Sequence, residues 1–117
     1  MAYDENLAQR VREQLSPQRA LEEKAMMGGL TFMVNGKMCV GIFHDDLMCR
    51  IDKRDHAAAV ERPGCRTMKF SNRAMPGFVL VDQTALRTAR ELRTWIDLAL
   101  SYNKIAKASA KPKRKRS

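Results

Sequence analysis

No stretch of this chain approaches the roughly 20 consecutive apolar residues that a membrane-spanning helix requires, so no membrane partner is expected. Its opening, Met1-Ala2-Tyr3-Asp4-Glu5-Asn6, has neither the basic start nor the apolar centre of a secretory leader, and a cytoplasmic location is the expectation. Cysteine and histidine are scarce, three and two in 117 residues. Cys39, Cys49 and Cys65 contain no CxxC pair and the histidines no HxxxH pair, so no metal site is expected. The odd thiol count argues against a disulfide framework, and the cysteines read as reduced, packed hydrophobes. Cys39 and Cys49 would face each other across a hairpin if the turn at His44 has three residues, but a closed zinc site needs two further ligands.

A phosphate-cradling loop is also missing. Gly28-Gly29 is too short and leads into an apolar run rather than a helix N-terminus. It reads as a bend or bulge where a side chain would clash. For nucleophilic catalysis the one arrangement of interest is His44-Asp45-Asp46 near Cys39 and Cys49. On a polar turn nothing holds an imidazole against a thiol, so no catalytic residue and no cofactor are expected. The chain carries no internal repeats.

Cationic charge is plentiful. The net charge is +9, from 22 basic and 13 acidic residues. Five of the cations, Lys111, Lys113, Arg114, Lys115 and Arg116, lie in the last seven residues, and the remaining 17 against 13 acids give +4 for residues 1–110. A run with nothing apolar to bury repels itself, so residues 104–117 read as a helix end followed by a disordered basic tail. Residues 1–103 read as one domain, with 44% hydrophobic and 30% charged residues in the chain as a whole.

Within that domain the strongest local signal is Asn35-Gly36 between two apolar runs, a type I′ hairpin turn. It predicts antiparallel strands near 30–34, 37–43 and 47–51. The turn pairs Val34 with Lys37, Met33 with Met38 and Phe32 with Cys39. Uninterrupted alternation then puts Thr31, Met33, Met38, Val40 and Ile42 on one face, and Phe32, Val34, Cys39 and Phe43 on the other. Residues 21–27 read as a short strand or an extended lead-in. Leu7, Val11 and Leu15 recur at helical spacing behind an Asp4 cap, predicting a helix over 4–15 that Pro17 closes. A second helix is expected over 53–61 with Asp52 as N-cap and Asp55 in the capping-box position, ended by Pro63-Gly64. Strands follow over 66–70 and 77–81, then a helical turn over 83–87. Thr88-Ala89-Arg90-Glu91 is a capping box opening a helix with the stripe Leu92, Trp95, Ile96, Ala99 and Leu100. The eight methionines read as gap fillers between sheet and helices, and Trp95 as core. The fold class is α+β: an antiparallel sheet, a meander around the 35–36 hairpin, with N- and C-terminal helices packed on it.

Several of these pieces occur in a recognisable order. Met26-Met27-Gly28-Gly29-Leu30 leads into the Asn35-Gly36 hairpin, and Leu47 to Ile51 follows with Arg50-Ile51 at its end. Next come Pro63-Gly64, the block Met75-Pro76-Gly77-Phe78-Val79-Leu80-Val81-Asp82, and a helix with Leu92 and Trp95. Over residues 1–103 this resembles the N-terminal domain of the TfoX/Sxy family, named for bacterial regulators of natural competence. The resemblance implies a compact α+β domain and a part in regulating genes for DNA uptake. It supplies no catalytic residues. The second, helical domain of those regulators is not matched, and a short basic tail stands in its place.

The functional expectation is therefore a non-enzymatic regulatory or adaptor domain that meets a protein partner through its folded surface. Lys111, Lys113, Arg114, Lys115 and Arg116 would add sequence-independent affinity for DNA or RNA, because a mobile cluster has no fixed geometry for reading bases. The alternative is a small ligand-binding or enzymatic domain in which Arg50 orients an anion. Homodimerisation through a sheet edge or apolar face is compatible with either.

Overall fold

The computed structural model describes residues 3–26 and 28–106. Helix α1 spans Glu5–Leu15, capped by the Asp4 carboxylate, which accepts the backbone N–H groups of Asn6 and Leu7. Strands β1 (Leu21–Met26), β2 (Gly29–Val34), β3 (Lys37–Phe43) and β4 (Asp46–Arg50) follow as an antiparallel meander. A 3₁₀ turn over Lys53–Asp55 runs into the short helix α2, His56–Val60. Strands β5 (Cys65–Phe70) and β6 (Arg73–Val81) come next, then a 3₁₀ turn at Gln83–Ala85 and helix α3, Ala89–Asn103.

All six strands form one antiparallel sheet in the order β1-β2-β3-β4-β6-β5. The α+β class, the meander and both terminal helices are as the sequence predicts. Of the ambiguous segment 21–27, residues Leu21–Met26 supply an edge strand whose Glu22, Glu23 and Lys24 are exposed. Charged edges of this kind discourage pairing with another chain. The expected single helix over 53–61 is split in two. Asp52 does cap its start, accepting from the Arg54 N–H, but Asp55 sits at the N-cap of α2 without a side-chain capping bond.

The Asn35-Gly36 turn has φ of 56° and 75°, the pair of positive values that a type I′ turn demands. Its register holds for Val34 with Lys37 and Met33 with Met38. Then it slips: Phe32 faces Val40, not Cys39, because a bulge separates Phe32 from Met33 in the pairing. Cys39 is the extra residue. This corrects the expected faces, since everything beyond the bulge in β3 flips. Val40 and Ile42 join Phe32 and Val34 in the main core, while Phe43 packs with Met48 and Met68 in a separate cluster.

The main core lies between one sheet face and the helices. Leu7, Val11 and Leu15 of α1 and Leu92, Trp95, Ile96 and Ala99 of α3 meet Leu47, Cys49, Val79 and Val81 from the strands. Trp95 is core, as its spacing predicts. Three of the methionines are not where gap filling between sheet and helices would put them. Met48 and Met68, with Met38 beside them, pack on the opposite face with Phe43, Phe78 and Leu80. The physical reason is the alternation of β4: Leu47 and Cys49 face the helices, so Met48 cannot.

Polar contacts lock the ends. Thr88 and Glu91 form a reciprocal capping box on α3. Arg10 donates to the Leu86 carbonyl at 2.6 Å and Gln14 to that of Ala89 at 3.0 Å, tying α1 to the approach to α3. The last residue of α3, Asn103, is only 2% exposed and donates to the Val34 carbonyl at 3.1 Å.

Candidate functional site

A cleft of about 540 Å³ opens where the end of β4, the middle of β6 and the last turn of α3 converge. Arg50 and Ile51 come from the end of β4, and Lys53 from the 3₁₀ turn that follows. Ala74 to Phe78 of β6 form one wall. Tyr102 and Ile105 close the other side. Among the described residues no carboxylate lines this space, and two of its side chains are cationic.

The wall is rigid for identifiable reasons. Gly77 has φ of 85°, which side chains rarely adopt, and a Cβ there would press on the Ile51 carbonyl oxygen at 3.0 Å, so glycine suits this close approach to the end of β4. Its carbonyl accepts the Ile51 N–H at 2.7 Å and its own N–H donates to His56 Nδ1 at 3.0 Å. The other imidazole nitrogen, Nε2, lies 2.9 Å from Thr67 Oγ1. Because Nδ1 must accept, the ring is the neutral tautomer with the proton on Nε2, which donates to the Thr67 hydroxyl. Thus α2, β5 and β6 are pinned behind the cleft by one side chain. His56 carried no signal in sequence, since a single histidine on a short helix gives no spacing to interpret.

Arg50 is held between two aromatic rings. Its guanidinium carbon is 5.6 Å from the Tyr102 ring centre and 5.9 Å from that of Phe78, at the outer range of cation–π contact. Phe78 is its direct cross-strand neighbour, so sheet register sets one half of this arrangement and the end of α3 the other. The anion-orienting residue of the alternative reading therefore lines the cleft. Lys111, Lys113, Arg114, Lys115 and Arg116 lie outside the described residues.

The cysteines belong to the core and not to the cleft. Val40, not Cys39, is the partner of Cys49 across the strands, so the directly opposed thiol pair does not form. Burial pushes the Cys39 thiol up to about 12, against a smaller opposing pull from the Arg50 charge. Cys49 is raised well above its ordinary value, first by burial and then by the nearby thiols of Cys39 and Cys65. Such thiols are poor nucleophiles and poor ligands. Among the described residues no group of three or more His, Cys, Asp and Glu side chains is arranged to hold a metal ion. His44 is exposed at the tip of the β3–β4 turn with φ of 58°, and its carbonyl accepts the Asp4 N–H at 2.7 Å. Its place is structural, an anchor for the start of α1. Among the described residues no helix is long and apolar enough to cross a membrane.

The cleft wall Met75-Pro76-Gly77-Phe78 is part of the block that carries the family resemblance. A family model for the TfoX N-terminal domain matches residues 13–102. The chain belongs to that family. The match covers β1 through nearly all of α3, and so every residue of the TfoX N-terminal domain that lines the cleft except Ile105. No curated protein and no solved structure gives a match.

Proposed function

We propose that this chain is a non-enzymatic regulatory or adaptor domain, similar in role to the N-terminal domain of competence regulators, that engages a protein partner through its folded surface and nucleic acid through its basic tail. The observation that supports it most is the placement of positive charge. The cleft holds Arg50 and Lys53, with no acid among its described lining residues, and includes Ile105, one residue before the last described position. In the sequence the five tail cations begin at Lys111, five residues past Ala106.

The test compares the full chain with a version ending at Ala110 on duplex DNA across salt. Each phosphate neutralised contributes about −0.9 to the salt slope, so removing five cations flattens it by as much as about 4–5 and weakens binding. Binding and slope unchanged by the deletion contradict the tail's role. Affinity purification with and without nuclease examines the other half: a partner that survives nuclease supports an adaptor surface, and loss of every partner points to nucleic acid as the bridge.

A second reading is favoured by the position of Arg50 in the cleft: a small-ligand domain in which that guanidinium orients an anion.

A further inference from the structure

We infer that the cleft at the end of α3 binds a phosphate-bearing nucleobase, as a free nucleotide or as one unit of a single strand; this rests on the second reading above and names its ligand class. The lining sorts into two chemistries side by side. Arg50 and Lys53 supply N–H donors and positive charge, and Phe78 and Tyr102 supply aromatic surface. A simple anion would use only the first. A nucleotide uses both, phosphate on the cations and base on the rings or on the apolar rim.

Size and shape agree with that ligand. About 540 Å³ lies within the range of small-molecule sites and accommodates one nucleotide. A duplex presents its bases stacked and paired, and cannot bring a ring face to Tyr102 without unstacking. Ile105, 66% exposed, is the large hydrophobic side chain left open to solvent among the described residues, and it stands on the rim of this cleft. Pro76 and Met75 add apolar surface on the facing wall.

The site is also prepared in advance. The wall at Gly77 is fixed by its bonds to His56 and Ile51. The two rings restrict where the Arg50 fork can lie, so less side-chain freedom is lost when a phosphate arrives. A guanidinium has five N–H donors, so a phosphate adds to the contacts Arg50 already makes. An acidic peptide would satisfy the cations and leave the aromatic surface unused, so the nucleobase is the better fit.

The experiment is fluorescence anisotropy of the full chain with a fluorescein-labelled ten-residue oligo-dT. ADP and inorganic pyrophosphate serve as competitors, and thermal unfolding monitors the fold. Expected is binding of oligo-dT, displaced by ADP more effectively than by pyrophosphate. Tyr102→Leu should weaken oligo-dT or ADP by about 5- to 150-fold through lost stacking, with duplex binding unchanged. Lys53→Gln, at an exposed position, should leave the melting temperature unaltered and reduce the single-strand salt slope by about 0.7. ADP binding that ignores deletion of residues 111–117 identifies the free nucleotide as the source. Oligo-dT binding that survives deletion of residues 111–117 and falls in Tyr102→Leu, without ADP binding, identifies the single strand; oligo-dT binding that needs the tail and ignores Tyr102→Leu counts against the cleft. If pyrophosphate competes as well as ADP and Tyr102→Leu changes neither, the cleft takes anions and the nucleobase inference is overturned while the second reading stands. If Lys53→Gln and Tyr102→Leu both leave every probe unaffected, that reading falls as well.

Discussion

The Nδ1 atom of His56 accepts the backbone N–H of Gly77 at 3.0 Å, joining a five-residue helix to the strand that walls the cleft. The bond satisfies a buried donor at a position where the neighbouring carbonyl is already committed to Ile51. Replacing His56 with Ala leaves both Gly77 N–H and Thr67 Oγ1 without this partner. The cost of stranding such groups is about 1–3 kcal/mol. Urea unfolding should show a lower midpoint at an unchanged slope. An equal midpoint would mean that the imidazole contributes nothing to the wall.

Asn103 does for the hairpin what His56 does for the cleft. Its amide nitrogen donates to the Val34 carbonyl, and Lys37 Nζ donates to the Asn103 carbonyl at 2.7 Å. The lysine charge thereby sits at the negative end of the α3 dipole. Asn103→Leu removes a buried hydrogen bond and should cost about 1–3 kcal/mol in chemical denaturation. Lys37→Met, at a half-buried and more hydrated contact, should cost less, about 0.3–1 kcal/mol.

The thiols should differ in reactivity in an order set by burial. Cys65 is half-buried and its thiol is raised only by partial desolvation, while Cys39 and Cys49 are fully buried. Titration with a thiol reagent at pH 8 should therefore modify Cys65 first. The other two should react only at the rate of unfolding, and promptly in denaturant. Rapid modification of all three in native buffer would contradict the burial.

Acid should weaken the start of α1. The Asp4 carboxyl is held below its ordinary value of 3.8, first by the side-chain amide of Gln83 and then by the Leu7 N–H. Glu23 is lowered by its pairing with Arg12. A carboxyl lowered by folding contributes its full stability above its unfolded value, and that contribution is lost as pH falls through the folded one. Asp4→Ala should cost about 0.5–1 kcal/mol at pH 6, the low end of cap values because the site is solvated. The difference between variant and parent should shrink below pH 4. A difference constant from pH 6 to pH 3 would show that the charge is immaterial.

Much of the scaffold could be seen in local chemistry, and the site could not. Asn35-Gly36 and Thr88 with Glu91 are short-range devices whose geometry depends on a few adjacent residues, and both form as their residue types dictate. The bulge at Cys39 escapes such reasoning, because an apolar run on both sides of one extra residue alternates equally well in either register. That one residue decided which side chains of β3 face the helices. Segment 21–27 is ambiguous in sequence because β1 is exposed along most of its length and shows little alternation. Arg50 stands out in the sequence as a charge at the end of an apolar strand. Its surroundings do not, because the cleft gathers positions 50, 53, 74–78, 102 and 105 from three elements. They meet because β6 inserts between β4 and β5, a long-range pairing that no local pattern specifies.

The claim with most at stake is that ligand chemistry resides in that cleft. Amide shift mapping by nuclear magnetic resonance on the full chain, titrated with oligo-dT and separately with ADP, examines it directly. The account predicts perturbation at Ile51, Lys53, Gly77, Phe78 and Ile105 by at least one of the two, with Arg62, Thr94 and Trp95, which line a separate hollow of the surface, unmoved. Shifts confined to residues 107–117 under both titrations would contradict it.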